Sequence, residues 1–327
     1  MNNVTIVMYH YIRDLQNSRF PGIKGLDYQL FIEQIEYLKK YYHFVTMEEV
    51  IYSINYGEKL PHKAVLLTFD DAYTDHYLNV FPILDKNNIQ GSFYIPAKAI
   101  LEHTVLDVNK IHFILASETD IFKIIKDMRL LLDQYTNEYQ LNTFEYYYKK
   151  LAQPSRYDTK DVIFVKRLLQ VELAEELRNK IVDELFVKYV GMSESAFSQE
   201  LYMDKEQLMT MQRHGMHIGC HGFNHYWWNR LSRQDLEKEI DLSLQFLNGI
   251  GTDMNNWTAC YPYGAHDEKT VKVLYEKGCK LAVTTEVDIA NTKNNNRLLL
   301  PRLDTNDIPK DRFAVLSHIS ERKDIIF

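Results

Sequence analysis

The hydrophobic positions of this chain change their period several times, and each change marks an element. Val4 to Tyr9 is a short run rich in branched residues and reads as a first strand. Phe31, Ile35, Leu38 and Tyr42 then recur at helical spacing, which predicts a helix over 27–42 with Asp27 as its cap. Thr46-Met47-Glu48-Glu49 is a capping box that opens a second helix towards Ile54. A strand at 64–69, a helix at 74–86 and a strand at 91–95 follow. From about 106 to 200 the strand signal almost vanishes. Ile121, Ile124, Ile125, Met128 and Leu131 form a helical stripe, and further helices are expected at 143–152, 159–170 and 173–189. Pro154 separates two of them and Gly191 follows the last. The alternation then resumes. A helix capped by Asp204-Lys205-Glu206-Gln207 ends near Gly215, and a strand follows at 216–220. A helix runs from Ser232 to about Leu247, then come a strand at 256–261, a helix at 267–277 stopped by Gly278, and a strand at 279–284. Repeated β-α units of this length predict an α/β fold, either a parallel sheet or a (β/α) barrel. Residues 1–327 read as a single domain, with 106–200 as a helical insertion within it.

Composition narrows the classes. A chain of 327 residues with 46% hydrophobic content can bury a sizeable core. The net charge of −7 and the short basic clusters argue against nucleic acid as a partner. No run approaches the roughly 18 apolar residues of a transmembrane helix. Residues 1–8 lack the basic and long apolar regions of a signal peptide, so a cytoplasmic protein is expected. Cys220, Cys260 and Cys279 are too few and too scattered for a disulfide framework and read as reduced, buried thiols.

Two fragments carry the chemistry. Thr68-Phe69-Asp70-Asp71 places adjacent carboxylates at the end of the apolar run Ala64-Val65-Leu66-Leu67. His221-Gly222-Phe223-Asn224-His225 spaces two imidazoles four apart after Met216-His217-Ile218-Gly219-Cys220. One Asp and two His make a three-ligand set for a zinc-like ion with a position left open for water. The second Asp then stands beside that water as a candidate base. The blander readings are a strand-end turn for the Asp pair and ordinary surface histidines. The imidazoles share a face if the chain turns helically after His221. Gly222 permits close backbone approach. Tyr261-Pro262-Tyr263-Gly264 is a Pro-Gly turn, or a rigid turn aiming a backbone N–H at a developing oxyanion.

In this order the fragments resemble the polysaccharide deacetylases, carbohydrate esterase family 4, over about residues 4–104 and 200–305. The family's motifs are Thr-Phe-Asp-Asp, His-(Ser/Thr)-x-x-His and Arg-x-Pro-Tyr, on a distorted (β/α) barrel. The resemblance implies Asp70 as general base, Asp71, His221 and His225 as ligands of a divalent metal, zinc first among them, and Tyr263 as an oxyanion donor through its N–H. Met8-Tyr9-His10-Tyr11 resembles the first strand of the members acting on poly-N-acetylglucosamine, which look circularly permuted and carry their acid His there. His10 is therefore the general acid on this reading, and His318 of Leu316-Ser317-His318 is its rival.

Three positions depart from the pattern. The family Arg that pairs with the base falls at Cys260, Ala72 replaces a Gly, and Gly222 replaces the Ser/Thr that would steady the ligand loop. Arg302, in Leu300-Pro301-Arg302-Leu303-Asp304, is the candidate to supply the missing charge, the alternative being an ordinary surface Arg. The implied activity is N-deacetylation of an acetamido sugar. A nucleotide-linked or lipid-linked precursor of a bacterial surface polysaccharide is favoured over an oligosaccharide. Competing readings are a non-catalytic carbohydrate-binding protein on a decayed deacetylase fold, and an O-acetyl esterase or deformylase using the same site.

Overall fold

A computed structural model describes residues 2–155 and 158–316. They form two compact units. One comprises the residues up to Asp14, Gly25–His103 and the chain from Gln199 onward; the other comprises Leu15–Lys24 and Thr104–Ser198.

The first unit is built on β1 (Asn3–Tyr9), β2 (Ala64–Asp70), β3 (Gly91–Ile95), β4 (His217–Cys220), β5 (Thr258–Cys260) and β6 (Leu281–Val283). They are hydrogen-bonded in that order, each neighbouring pair parallel. The register pairs Tyr9 with Phe69, Asp70 with Tyr94, Ile95 with Cys220 and Cys260 with Val283, so the carboxyl ends share one rim. The two edges are joined by one short segment. Leu300 bonds to β6 through Ala282 and Thr284, while Leu303 and Asp304 pair in parallel with Val7 and Met8 of β1. The result is a distorted (β/α) barrel, closed by residues 300–304 instead of a full strand.

Every residue of β2 and β3 is buried. That is why the run Ala64 to Leu67 shows no polar alternation: a parallel strand covered on both faces has no solvated side. Phe69 stacks between Tyr9 and Phe93 at ring distances of 5.0 and 4.7 Å, in the layer under the helices. Ile6, Leu66, Tyr94, Cys260, Leu281 and Leu300 belong to a separate cluster that also takes in the helix Met47–Tyr56.

Helix starts follow the capping chemistry of the sequence. Asp27 accepts from Gln29 N–H, and Thr46, Asp204 and Asp267 each open a reciprocal capping box. Two elements differ. The helix expected at 74–86 is interrupted by a π-helical turn over His76–Val80 before continuing as Phe81–Lys86. The helix expected at 159–170 gives way to a π-helical turn over Leu168–Glu172.

The second unit is helical, with Asp107–Ser117, Ile121–Tyr139, Phe144–Leu151, Lys160–Arg167 and Glu175–Val190. Its membership includes Leu15–Lys24, because Phe20 packs edge-on against Phe113 and Phe197 at 5.0 and 5.8 Å. Nothing local in those ten residues signals that long-range contact. Lys110, at the start of the block, donates to Asp183 at 2.6 Å and lies 2.9 Å from Glu194. Among the described residues no helix is long and apolar enough to cross a membrane.

Two glycines separate space from propensity. A Cβ at Gly219 of β4 would lie 2.6 Å from the Tyr94 ring, whereas at Gly249, exposed in the last turn of the helix Arg233–Gly249, it would meet nothing within 4 Å. Gly219→Ala is expected to cost about 1–3 kcal/mol by overpacking, and Gly249→Ala to stabilise by about 0.5–1 kcal/mol. Urea unfolding of the two variants checks both signs.

Candidate active site

The rim where the strands end collects the polar residues of the barrel. Asp70, the last residue of β2, is 2% exposed. Arg302 grips it with both nitrogens, Nη1 to Oδ1 at 2.9 Å and Nη2 to Oδ2 at 2.8 Å. The guanidinium is itself fixed, donating from Nε to the Thr284 carbonyl at 2.8 Å and from Nη1 to Thr68 Oγ1 at 3.1 Å. Burial is the largest single influence and would raise the Asp70 carboxyl, but the charge and hydrogen bonds of Arg302, with the charges of His221 and His10, together outweigh it and lower the group to about 2. Cys260 Sγ lies 3.1 Å from Arg302 Nη2, so the small side chain at this position leaves the guanidinium room to reach the carboxylate.

Asp71 leaves the strand with φ 75°. Its N–H still donates to Tyr94 O at 3.2 Å, and its Oδ2 accepts from Tyr73 Oη at 2.6 Å. That leaves Oδ1 buried without a hydrogen-bond partner among the described residues, 3.4 Å from Nε2 of both His221 and His225. The two Nε2 atoms are 3.2 Å apart. His221 Nδ1 donates to the Cys260 carbonyl at 2.9 Å, so in the neutral ring Nε2 carries the lone pair. Without an ion, burial and the charge of His221 depress His225 to about 3.

The triangle fits a metal. Donors bound at about 2.0–2.1 Å to a tetrahedral zinc lie about 3.3–3.4 Å apart, and these three atoms lie 3.2–3.4 Å apart. Asp70, His221 and Cys260 also approach one another. Arg302 already sits against both Asp70 and Cys260, so that second group meets a cation in place.

The imidazoles converge through a loop, not a helical turn. Residues 221–227 carry no helix, and Gly222 and His225 take φ values of 77° and 61°. His10 follows β1, with Nε2 3.9 Å from Asp70 Oδ2 and 42% of its side chain exposed. Its carbonyl accepts from Nε2 of His76, a fully buried imidazole beside Phe69, Tyr73 and Phe93. Tyr263 lies in the 3-10 turn Pro262–Gly264 with φ 58°. Its ring meets His225 at 4.7 Å and stacks on Trp227 at 4.4 Å, 7° from parallel. Ser317 and His318 lie outside the described residues. Tyr73, His76 and Glu239, whose carboxylate bonds to Asn224, escape a reading by motif. Each acts on the site from a helix or turn through a contact that has no sequence signal.

Comparisons with known proteins agree with this architecture. The family model for polysaccharide deacetylase matches residues 57–158 and 179–282, more than half of the chain, and runs into the helical block that motif resemblance left out. The chain belongs to the polysaccharide deacetylase family. YxkH of Bacillus subtilis, provisionally named a polysaccharide deacetylase, is 30% identical over 96 residues, 29% of this chain and 32% of that protein. The poly-beta-1,6-N-acetyl-D-glucosamine N-deacetylase of Escherichia coli is 33% identical over 85 residues, 25% of this chain and 12% of that protein. The matched stretches therefore span a third or less of these curated relatives. The Streptococcus pyogenes deacetylase PplD, solved in complex with acetate, has the same fold with a TM-score of 0.56 at 18% identity, over 92% of each chain.

His76 sets a pH limit on stability. The imidazole titrates near 6.5 when free but at about 4 in the fold, because burial outweighs its bond to the His10 carbonyl. The unfolded chain therefore binds the extra proton. This contribution is complete above pH 6.5 and is lost as pH falls towards 4, up to about 3 kcal/mol. His76→Gln, which keeps a donor for the His10 carbonyl, is expected to remove about one proton from the slope of unfolding free energy against pH in that window. An unchanged slope would show that His76 titrates normally.

Proposed function

We propose that this chain is a metal-dependent N-deacetylase that hydrolyses the acetamido group of an amino sugar to acetate and free amine. The carrying observation is the Asp71–His221–His225 triangle beside a forked Asp70–Arg302 pair, with His10 Nε2 at 3.9 Å. A divalent ion held by the triangle supplies Lewis acidity to water and to the amide carbonyl.

The chain's own groups do the rest. Asp70, kept ionised by Arg302, accepts a proton from the attacking water. The Tyr263 N–H is the donor assigned to the oxyanion that develops on the carbonyl oxygen. His10 gives its Nε2 proton to the nitrogen as the C–N bond breaks, and its exposure lets it recover a proton from solvent. Arg302 also bears on the non-catalytic reading. A charge missing at Cys260 would permit a decayed site, and the buried guanidinium of Arg302 at Asp70 weakens that reading. Substrate is an acetamido sugar on a nucleotide or lipid carrier, destined for a surface polysaccharide. The name of the Escherichia coli relative makes a poly-β-1,6-N-acetylglucosamine oligomer the second arm of the test.

Zinc-loaded protein incubated with nucleotide-linked, lipid-linked and oligomeric acetamido sugars is expected to release acetate from one class, and to stop when the metal is chelated. No acetate from any of them would leave a binding protein as the better account. Asp70→Asn should lower kcat about 100- to 10,000-fold while zinc binding survives; near-normal turnover removes Asp70 from the mechanism. Of His10→Ala and His318→Ala, the first is expected to abolish the reaction. Loss in the second alone reassigns the acid.

A further inference from the structure

The loop between His221 and His225 carries no regular structure, yet a metal set needs its donors held to a fraction of an ångström. The hydroxyl that the family places after the first His is absent, since position 222 is Gly. The structure supplies another restraint. Glu239, on the helix Arg233–Gly249 and 3% exposed, accepts the Asn224 backbone N–H at Oε1 and Asn224 Nδ2 at Oε2, the latter at 2.8 Å. The backbone at Phe223 and Tyr226 also favours the ionised form of this carboxylate. From the other direction, the Gly222 and Phe223 carbonyls accept from Ala97 and Lys98 N–H at 3.2 and 3.0 Å, at the start of the helix Ala97–Glu102. A Cβ at Gly222 would lie 3.1 Å from Trp228 Nε1 and 3.2 Å from Glu239 Oε1. The position that lost its hydroxyl is therefore one where the carboxylate itself leaves little room for a side chain.

We infer that Glu239 is the positioning residue of the metal centre, gathering the loop N–H groups so that His221 and His225 present Nε2 to the same point as Asp71. The inference rests on the reading that those three residues hold a divalent ion. A carboxylate suits the task because both of its oxygens accept. An amide of the same size turns an NH2 group towards loop donors, and donor then faces donor.

Glu239→Gln keeps the volume and loses the acceptor. Zinc affinity, measured by competition with a chromophoric chelator, is expected to weaken about 10- to 100-fold. The melting temperature of the metal-free protein should stay within a few degrees, and the visible absorption of the cobalt-loaded variant should change with ligand geometry. If Glu239→Gln does not fold, Asn224→Ala, which removes one of the carboxylate's partners, is expected to weaken zinc several-fold. Wild-type zinc affinity in the variant that folds overturns the inference and leaves the metal reading intact. A wild-type protein that binds no zinc overturns both.

Discussion

Closure of the barrel and the electrostatics of its rim rest on one buried ion pair. Arg302 and Asp70 are 1% and 2% exposed, and each would be intolerable there alone. Removing one partner of such a pair typically costs about 3–5 kcal/mol, because the other charge is stranded out of water. The forked geometry, the bond to the Thr284 carbonyl and the contact with Thr68 satisfy the guanidinium around its plane. Arg302 also belongs to the segment that joins β6 to β1. The contact that keeps Asp70 ionised is thus held by the same residues that close the ring.

Strain collects at this rim. Asp71, Ala72, His225 and Tyr263 are four of the eight non-glycine residues with positive φ among the described residues. Such conformations persist where surrounding contacts over-determine them. Here those contacts are visible: Tyr73 on Asp71, Trp227 under Tyr263, and the Glu239 bonds in the loop before His225. Strands deliver the chain to the rim, and a residue in the left-handed region just beyond turns its side chain inward. Asp70 is still on the strand and meets Arg302, while Asp71 has left it and meets the histidines. Their different backbones explain why adjacent carboxylates do not compete for one partner.

Periodicity and capping residues made most of the barrel unit legible. Strands at 64–69, 91–95 and 216–220 were found within a residue, because buried parallel strands are short apolar runs bounded by helix starts. The π-helical turn at His76 was not, since its bonds differ from an α-helix by one residue and leave no signature in the apolar spacing. The allegiance of Leu15–Lys24 to the helical unit was equally hidden, being decided by Phe20 meeting aromatic partners far along the chain.

For the site, the sequence alone determined which chemistry was at hand: two carboxylates and two imidazoles grouped at the ends of two strands, and a Pro-Gly turn. Residue type and local order are properties of short segments, so they can be read from one. The pairing of charges could not. Cys260 marked a missing cation, and the chain offered Arg302 as a candidate without a way to place it. Tertiary structure decided that, because a guanidinium 232 positions away in sequence reaches Asp70 when the barrel closes. It also decided how His221 and His225 meet, through a loop tied by Glu239 in place of a helical turn. Long-range hydrogen bonds set the positions of polar atoms, and no local pattern records them.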